Sequence, residues 1–147
     1  MSLLFERILF VDDDIAQNYL NVLITKKALH PYKIETLSFD KPVSGLEYIA
    51  QTFVFDKVPT VLFLDLRMPE LSGWDFLDKL KTLDVDITKH ITTYVLSSSI
   101  DPTDIKKAAT NPLVKGFLSK PINTHLARIL EDTLHACKQN DRFKISS

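Results

Sequence analysis

Short runs of uniformly apolar residues alternate along the chain with segments whose apolar positions recur at i, i+3 and i+4. That is the pattern of βαβ units around a parallel sheet, whose inner strands are covered on both faces and lack a polar side. The first such run, Ile8-Leu9-Phe10-Val11, stops at Asp12. Asp14, with Gln17 three residues on, opens a helix as in a capping box, and Ala16, Tyr19, Leu20, Leu23, Ile24 and Ala28 are expected on its buried face. His30-Pro31 ends it. A second strand, about Lys33 to Phe39, leads to a helix that Asp40 is expected to cap, with Val43, Leu46, Ile49, Ala50 and Phe53 on one side. The third strand, Val61-Leu62-Phe63-Leu64, ends at Asp65. A loop from Met68 to Gly73, marked by its Pro and Gly, then precedes a helix carrying Trp74, Leu77, Leu80 and Leu83.

The second half repeats the scheme. A fourth strand, about Ile91 to Leu96, runs into Ser97, Ser98 and Ser99. Asp101 before Pro102 supplies a capping side chain and a first-turn proline, and Asn111-Pro112 stops the helix they begin. The last strand, Val114 to Leu118, passes through Ser119-Lys120-Pro121 into a helix striped with Leu126, Ile129, Leu130, Leu134 and Cys137. The polar tail from Lys138 is expected to fray or to prolong that helix. With right-handed crossovers these elements make an α/β fold, a doubly wound parallel sheet of five strands in a three-layer molecule.

Composition narrows the function. A chain of 147 residues holds one core rather than two. A formal charge of −1, from 18 basic and 19 acidic side chains, leaves no basic face for nucleic acid. The single cysteine, Cys137, excludes an intramolecular disulfide and a multi-cysteine zinc site, so the cytoplasm is the expected compartment. No run reaches the ~18 apolar residues of a membrane span and no signal-peptide pattern opens the chain, so no membrane partner is expected. His30, His90, His125 and His135 are too dispersed for a metal site.

In open α/β sheets, ligands bind beyond the carboxyl ends of the strands. Asp12 and Asp13 leave the first strand there, Asp65 the third, Ser97 the fourth and Lys120 the fifth. Carboxylates at one edge repel, by about 4 kcal/mol a pair at ~4 Å and an effective dielectric near 20. A raised pKa, a lysine or a cation must compensate, and Mg²⁺ suits an all-oxygen cluster that leaves it several waters. With a cation beside it, Asp65 can act as nucleophile toward a phosphoryl donor. None of the three glycines stands in a phosphate-cradling loop, which disfavours ATP as donor and leaves no cofactor-binding residues beyond the metal ligands. Phosphohistidine would serve. Lys120 can pair with the phosphoryl oxygens and the Ser97 hydroxyl can donate to them, with Ser98 the second candidate.

These residues resemble the receiver domains of two-component response regulators, in particular the single-domain, chemotaxis-regulator-like kind. The resemblance runs through Ile8-Leu9-Phe10-Val11-Asp12-Asp13-Asp14, Phe63-Leu64-Asp65-Leu66-Arg67-Met68-Pro69 with Gly73, Ser97, and Phe117-Leu118-Ser119-Lys120-Pro121. It implies a flavodoxin-like fold with strand order 2-1-3-4-5, a receiver over residues 6–138, and a tail over 139–147 with no output domain. It also implies that Asp12 and Asp13 bind Mg²⁺ and that Asp65 is a phosphoacceptor that ligates it too. Arg67 would add its backbone carbonyl, leaving its side-chain identity free. Lys120 would contact the phosphoryl group, with a cis bond before Pro121, and Ser97 and Phe117 would form the switch. Implied partners are a sensor histidine kinase or a histidine phosphotransfer protein, plus a downstream protein; homodimer formation stays open. The activity implied is that of a signalling switch, limited to taking and losing its own phosphoryl group. Phe117 has no hydroxyl, and Asn111-Pro112-Leu113 replaces the family's usual Gly-Ala stretch.

Two other classes compete. A haloacid-dehalogenase-like phosphatase or phosphotransferase needs a second acid two residues after its nucleophile, where this chain has Arg67. A flavodoxin-like FMN carrier needs a hydroxyl- and glycine-rich loop after the first strand, where Asp12-Asp13-Asp14 would repel phosphate.

Overall fold

The computed structural model describes residues 4–134 and 144–146. In chain order the elements are β1 (Arg7–Val11), α1 (Ile15–Ala28), β2 (Glu35–Phe39), α2 (Pro42–Thr52), β3 (Thr60–Asp65) and α3 (Gly73–Lys81), followed by α4 (Val85–Thr88), β4 (Ile91–Ser97), α5 (Pro102–Thr110), β5 (Val114–Ser119), α6 (Leu126–Leu134) and β6 (Lys144–Ser146). The strands run in the order β2-β1-β3-β4-β5-β6, and every neighbouring pair is parallel. The expected five-strand order is present, with one strand added. Residues 144–146 of the expected tail are that strand, with Gly116 opposite Lys144. It lies parallel to β5 and pairs the backbone edge that β5 would otherwise expose. Cys137, expected on the last helical stripe, lies outside the described residues.

Because strand side chains alternate between faces, the central strands divide their residues between two cores. Leu9, Val11, Leu62, Leu64, Val95 and Phe117 face α2, α3 and α5, with Ile49, Phe53, Phe76, Leu77, Leu80 and Ala108 packed over them. Ile8, Phe10, Val61, Phe63, Tyr94, Leu96 and Leu118 face α1 and α6, under Leu126 and Leu130. The Phe10, Phe63 and Tyr94 rings stack across three adjacent strands at 5.0 and 5.7 Å. Among the described residues no helix is long and apolar enough to cross a membrane.

Two helix expectations are corrected. The capping of α1 is as expected, with Asp14 accepting from the Gln17 amide at 3.1 Å. Its buried face is so only in part: Ile24 and Ala28 pack against the core, but Tyr19 and Leu23 are 68% and 47% exposed, while Asn18, Asn21 and Thr25 are buried. Apolar residues fall all round this helix, so periodicity does not choose a face. Hydrogen bonds do, since the Asn18 amide donates to Asp12 O at 2.7 Å and Phe39 O at 3.3 Å. In α2 the capping position is Lys41 rather than Asp40, and it makes no side-chain cap bond. Pro42 fills the first helical position and has no N–H to satisfy. The four-residue α4, capped by Asp84, was not expected, being too short to show a period.

One packing constraint fixes the loop below the expected acceptor. Gly73, first residue of α3, donates to Leu66 O at 3.0 Å. A Cβ at Gly73 would lie 2.6 Å from Asp65 O and 2.9 Å from Leu66 Cα, both backbone atoms. Gly73→Ala is therefore expected to cost about 2 kcal/mol of stability through overpacking. Denaturant melts measure this, and a wild-type midpoint would contradict the close packing.

Candidate functional site

The parallel strands end at one edge and deliver their terminal side chains together. Asp12 and Asp13 follow β1, and Asp65 closes β3. A carboxylate oxygen from each lies within 4.8 Å of the other two. Asp12 and Asp65 are buried, and Asp13 is exposed. Lys120, just past β5, brings its ammonium to 2.9 Å from Asp12 Oδ2 and 3.6 Å from Asp65 Oδ2. Its position is fixed by its own amide, which donates to Ser97 O at 2.8 Å, and by the expected cis Lys120–Pro121 peptide.

The acceptors are only partly satisfied. Asp12 Oδ1 accepts from the Asp14 amide at 2.9 Å, and Asp65 Oδ1 from the Arg67 amide at 3.3 Å. Asp12 Oδ2 is buried with the Lys120 ammonium beside it but no aligned hydrogen bond. Burial first, and the Asp12 charge second, push the Asp65 carboxyl from 3.8 up to about 7, against the opposing pull of Lys120 and the Arg67 amide. Burial would lower the Lys120 ammonium, but Asp12 and Asp65 outweigh it and hold the group above its ordinary value. One lysine does not neutralise this edge. An all-oxygen trio of carboxylates with one ammonium against it is the donor set that a hard divalent cation takes.

Ser97 ends β4 with its side chain buried, whereas Ser98 and Ser99 are exposed. Its Oγ donates to Ser99 O at 2.8 Å and accepts from Ser99 N at 3.2 Å, so in this state it serves its own loop. Phe117 is 1% exposed, already inside the core that α5 covers.

Arg67 is the residue whose sequence reading changes most. Its side chain, whose identity the resemblance leaves free, bonds through Nη2 to Asp104 Oδ2, on α5. The Trp74 indole N–H donates to the other oxygen, Oδ1, at 3.1 Å, so Trp74 does more than pack. Lys107 Nζ lies 5.6 Å from the centre of the Trp74 ring. Asp104 went unnoticed because an acid in the first turn of a helix is ordinary. The only signal was an arginine two residues past the acceptor, and its partner is 37 residues away.

The family model for the response regulator receiver domain matches residues 8–131. The chain belongs to this family. An uncharacterized response regulatory protein of Staphylococcus epidermidis is 29% identical over 129 residues, covering 87% of this chain and 46% of that protein, so the receiver spans about half the length of this curated relative. A two component response regulator from Cytophaga hutchinsonii aligns with a TM-score of 0.75 at 25% identity, over 87% of this chain and 95% of that one. A response regulator receiver protein from Dyadobacter fermentans aligns with a TM-score of 0.69 at 24% identity, over 86% and 94%. The haloacid-dehalogenase-like alternative finds no support among these comparisons.

The raised Asp65 value fixes the sign of a pH dependence. Between the unfolded pKa near 4 and the folded value of about 7, the folded receiver holds a proton that the unfolded chain has lost. This group's contribution to stability therefore falls as pH rises through that window and is level above it. Asp65→Asn, neutral throughout, is expected to be the more stable protein above pH ~7, with the gap closing toward pH ~4. Thermal melts in EDTA across this range measure it; a gap independent of pH would contradict the assignment.

Proposed function

We propose that this receiver, over residues 6–138, accepts a phosphoryl group on Asp65 with Mg²⁺ and passes the change to a downstream protein. The donor in this reading is the phosphohistidine of a sensor histidine kinase or a histidine phosphotransfer protein. The observation that carries it is the buried Asp65 carboxyl held against Asp12 and Asp13 with Lys120 at 3.6 Å. Mg²⁺ would be held by Asp12, Asp13, Asp65 and the Arg67 carbonyl, and when bound it supplies positive charge for the incoming phosphoryl oxygens. Three carboxylates against a single ammonium support that fit.

The chain's own residues account for the rest. An Asp65 carboxylate oxygen forms the bond to phosphorus while the P–N bond of the donor breaks, its electron pair staying on the imidazole. Lys120, poised between Asp12 and Asp65, pairs with a phosphoryl oxygen and lowers the cost of charge gathering in a buried place. Ser97 gives up Ser99 O to donate to the phosphoryl group. Phe117, buried in the core that α5 covers, is the second switch residue and answers the Ser97 move. The activity is that of a switch, confined to gaining and hydrolysing one acyl phosphate, and the cytoplasm is its proposed setting.

The surface beside the site suits a protein donor. Ile15, Tyr19 and Leu23 of α1 stand four residues apart and are all exposed. Ile15 and Tyr19 border a cleft of about 310 Å³ lined also by Asn18, Val22, Ser38 and Asp40. Apolar surface of this kind next to a reactive group fits transfer by direct contact.

Incubation with acetyl phosphate and Mg²⁺, followed by intact mass, is the test. One phosphoryl group is expected on the wild-type chain, none without Mg²⁺ and none on Asp65→Asn. Equal labelling of Asp65→Asn would overturn the reading.

A further inference from the structure

The two oxygens of Asp104 are both taken by the segment that follows the acceptor strand. Arg67 bonds Oδ2 and the Trp74 indole bonds Oδ1. The Asp104 side chain is 6% exposed, whereas that of Arg67 is 56% exposed. An acid serving only the dipole of α5 would gain by facing water, and this one is buried at a cost that two directed donors offset. Those donors come from residues two and nine positions past Asp65. Arg67 is also the residue whose amide holds Asp65 Oδ1 at 3.3 Å. One residue therefore touches the acceptor with its backbone and α5 with its side chain.

Helix α5 has no comparable polar tether elsewhere among the hydrogen bonds and ion pairs of the described residues. It covers Phe117 through Ala108, with Ile105 and Leu113 packed against the same core. The Arg67–Asp104 pair is a directed contact from the segment after Asp65 to that helix.

We propose that Asp104 is a positioning residue for the acceptor site: through Arg67 it fixes the segment after Asp65 and links occupancy of the site to the placement of α5. The proposal rests on the reading of Asp65 as a Mg²⁺-dependent acceptor. Linkage makes the effect reciprocal, so whatever Asp104 contributes to ion or phosphoryl binding, those ligands return to α5. Trp74, sharing the carboxylate, reports on the same network.

The full chain, Arg67→Ala, Asp104→Asn, the double variant and the conservative Asp104→Glu form the test. Mg²⁺ affinity is measured by calorimetry, and amide exchange in α5 with and without Mg²⁺ plus beryllofluoride. Each single variant is expected to weaken Mg²⁺ binding by roughly tenfold, as for groups that orient metal ligands. The double variant should be no weaker than the singles, because both remove one link, and Asp104→Glu should recover part of the affinity. Beryllofluoride should slow exchange in α5 of the wild type and leave it unchanged in Arg67→Ala, whose exposed side chain makes loss of folding a minor risk. A wild type that takes up neither Mg²⁺ nor beryllofluoride overturns the acceptor reading and this proposal with it. Variants that bind Mg²⁺ as the wild type does, or lose affinity additively, or keep the α5 response, overturn this proposal alone.

Discussion

Three carboxylates crowded at one sheet edge against a single lysine are the constraint on which the rest of this receiver depends. Strands β1 and β3 can deliver Asp12 and Asp65 side by side only because the residues before them are apolar on both faces and lock the sheet between two helical layers. Bringing such charges together costs several kcal/mol, and the structure meets part of that cost with Lys120 and part by holding a proton on Asp65 near neutrality. A cation would supply the remaining relief, whereas a phosphoryl group would add negative charge for that cation and Lys120 to balance. That unrelieved charge is what makes the edge responsive.

A responsive edge is useful only if its state reaches a surface. Two surfaces are within one residue's reach of it. Asn18 ties the start of α1 to the Asp12 carbonyl, leaving Ile15, Tyr19 and Leu23 exposed. Arg67 ties the other side of the site to Asp104 and hence to α5. The two helices lie on opposite layers of the sheet, each joined to the carboxylate cluster by a directed hydrogen bond rather than by apolar contact alone. Directed bonds break discretely, as a two-state element requires.

The fold was legible because central parallel strands leave an unmistakable trace. Uniformly apolar runs ending in Asp12 and Asp65, and a largely apolar one ending in Ser97, locate both the sheet and the edge where the carboxylates gather. Helix faces were less legible. In α1 apolar residues lie all round, so the buried side is chosen by the Asn18 amide and not by hydrophobicity. The Arg67–Asp104 pair left no local pattern, since each residue alone suits a loop or a first helical turn. Arg7 is similar: it reads as the residue before a strand, yet it is buried, paired with Glu35 and Asp56 from separate segments. Strand β6 was hidden by its length, three residues in a polar tail being too few to show alternation.

The most direct measurement of the central claim is chemical trapping of the modified residue. After phosphorylation with Mg²⁺, borohydride reduces an aspartyl acyl phosphate to homoserine, which peptide mass spectrometry places in the chain. The account predicts homoserine at position 65 and only when Mg²⁺ was present. Homoserine at position 12 or 13, or reduction at position 65 without the metal, would contradict it.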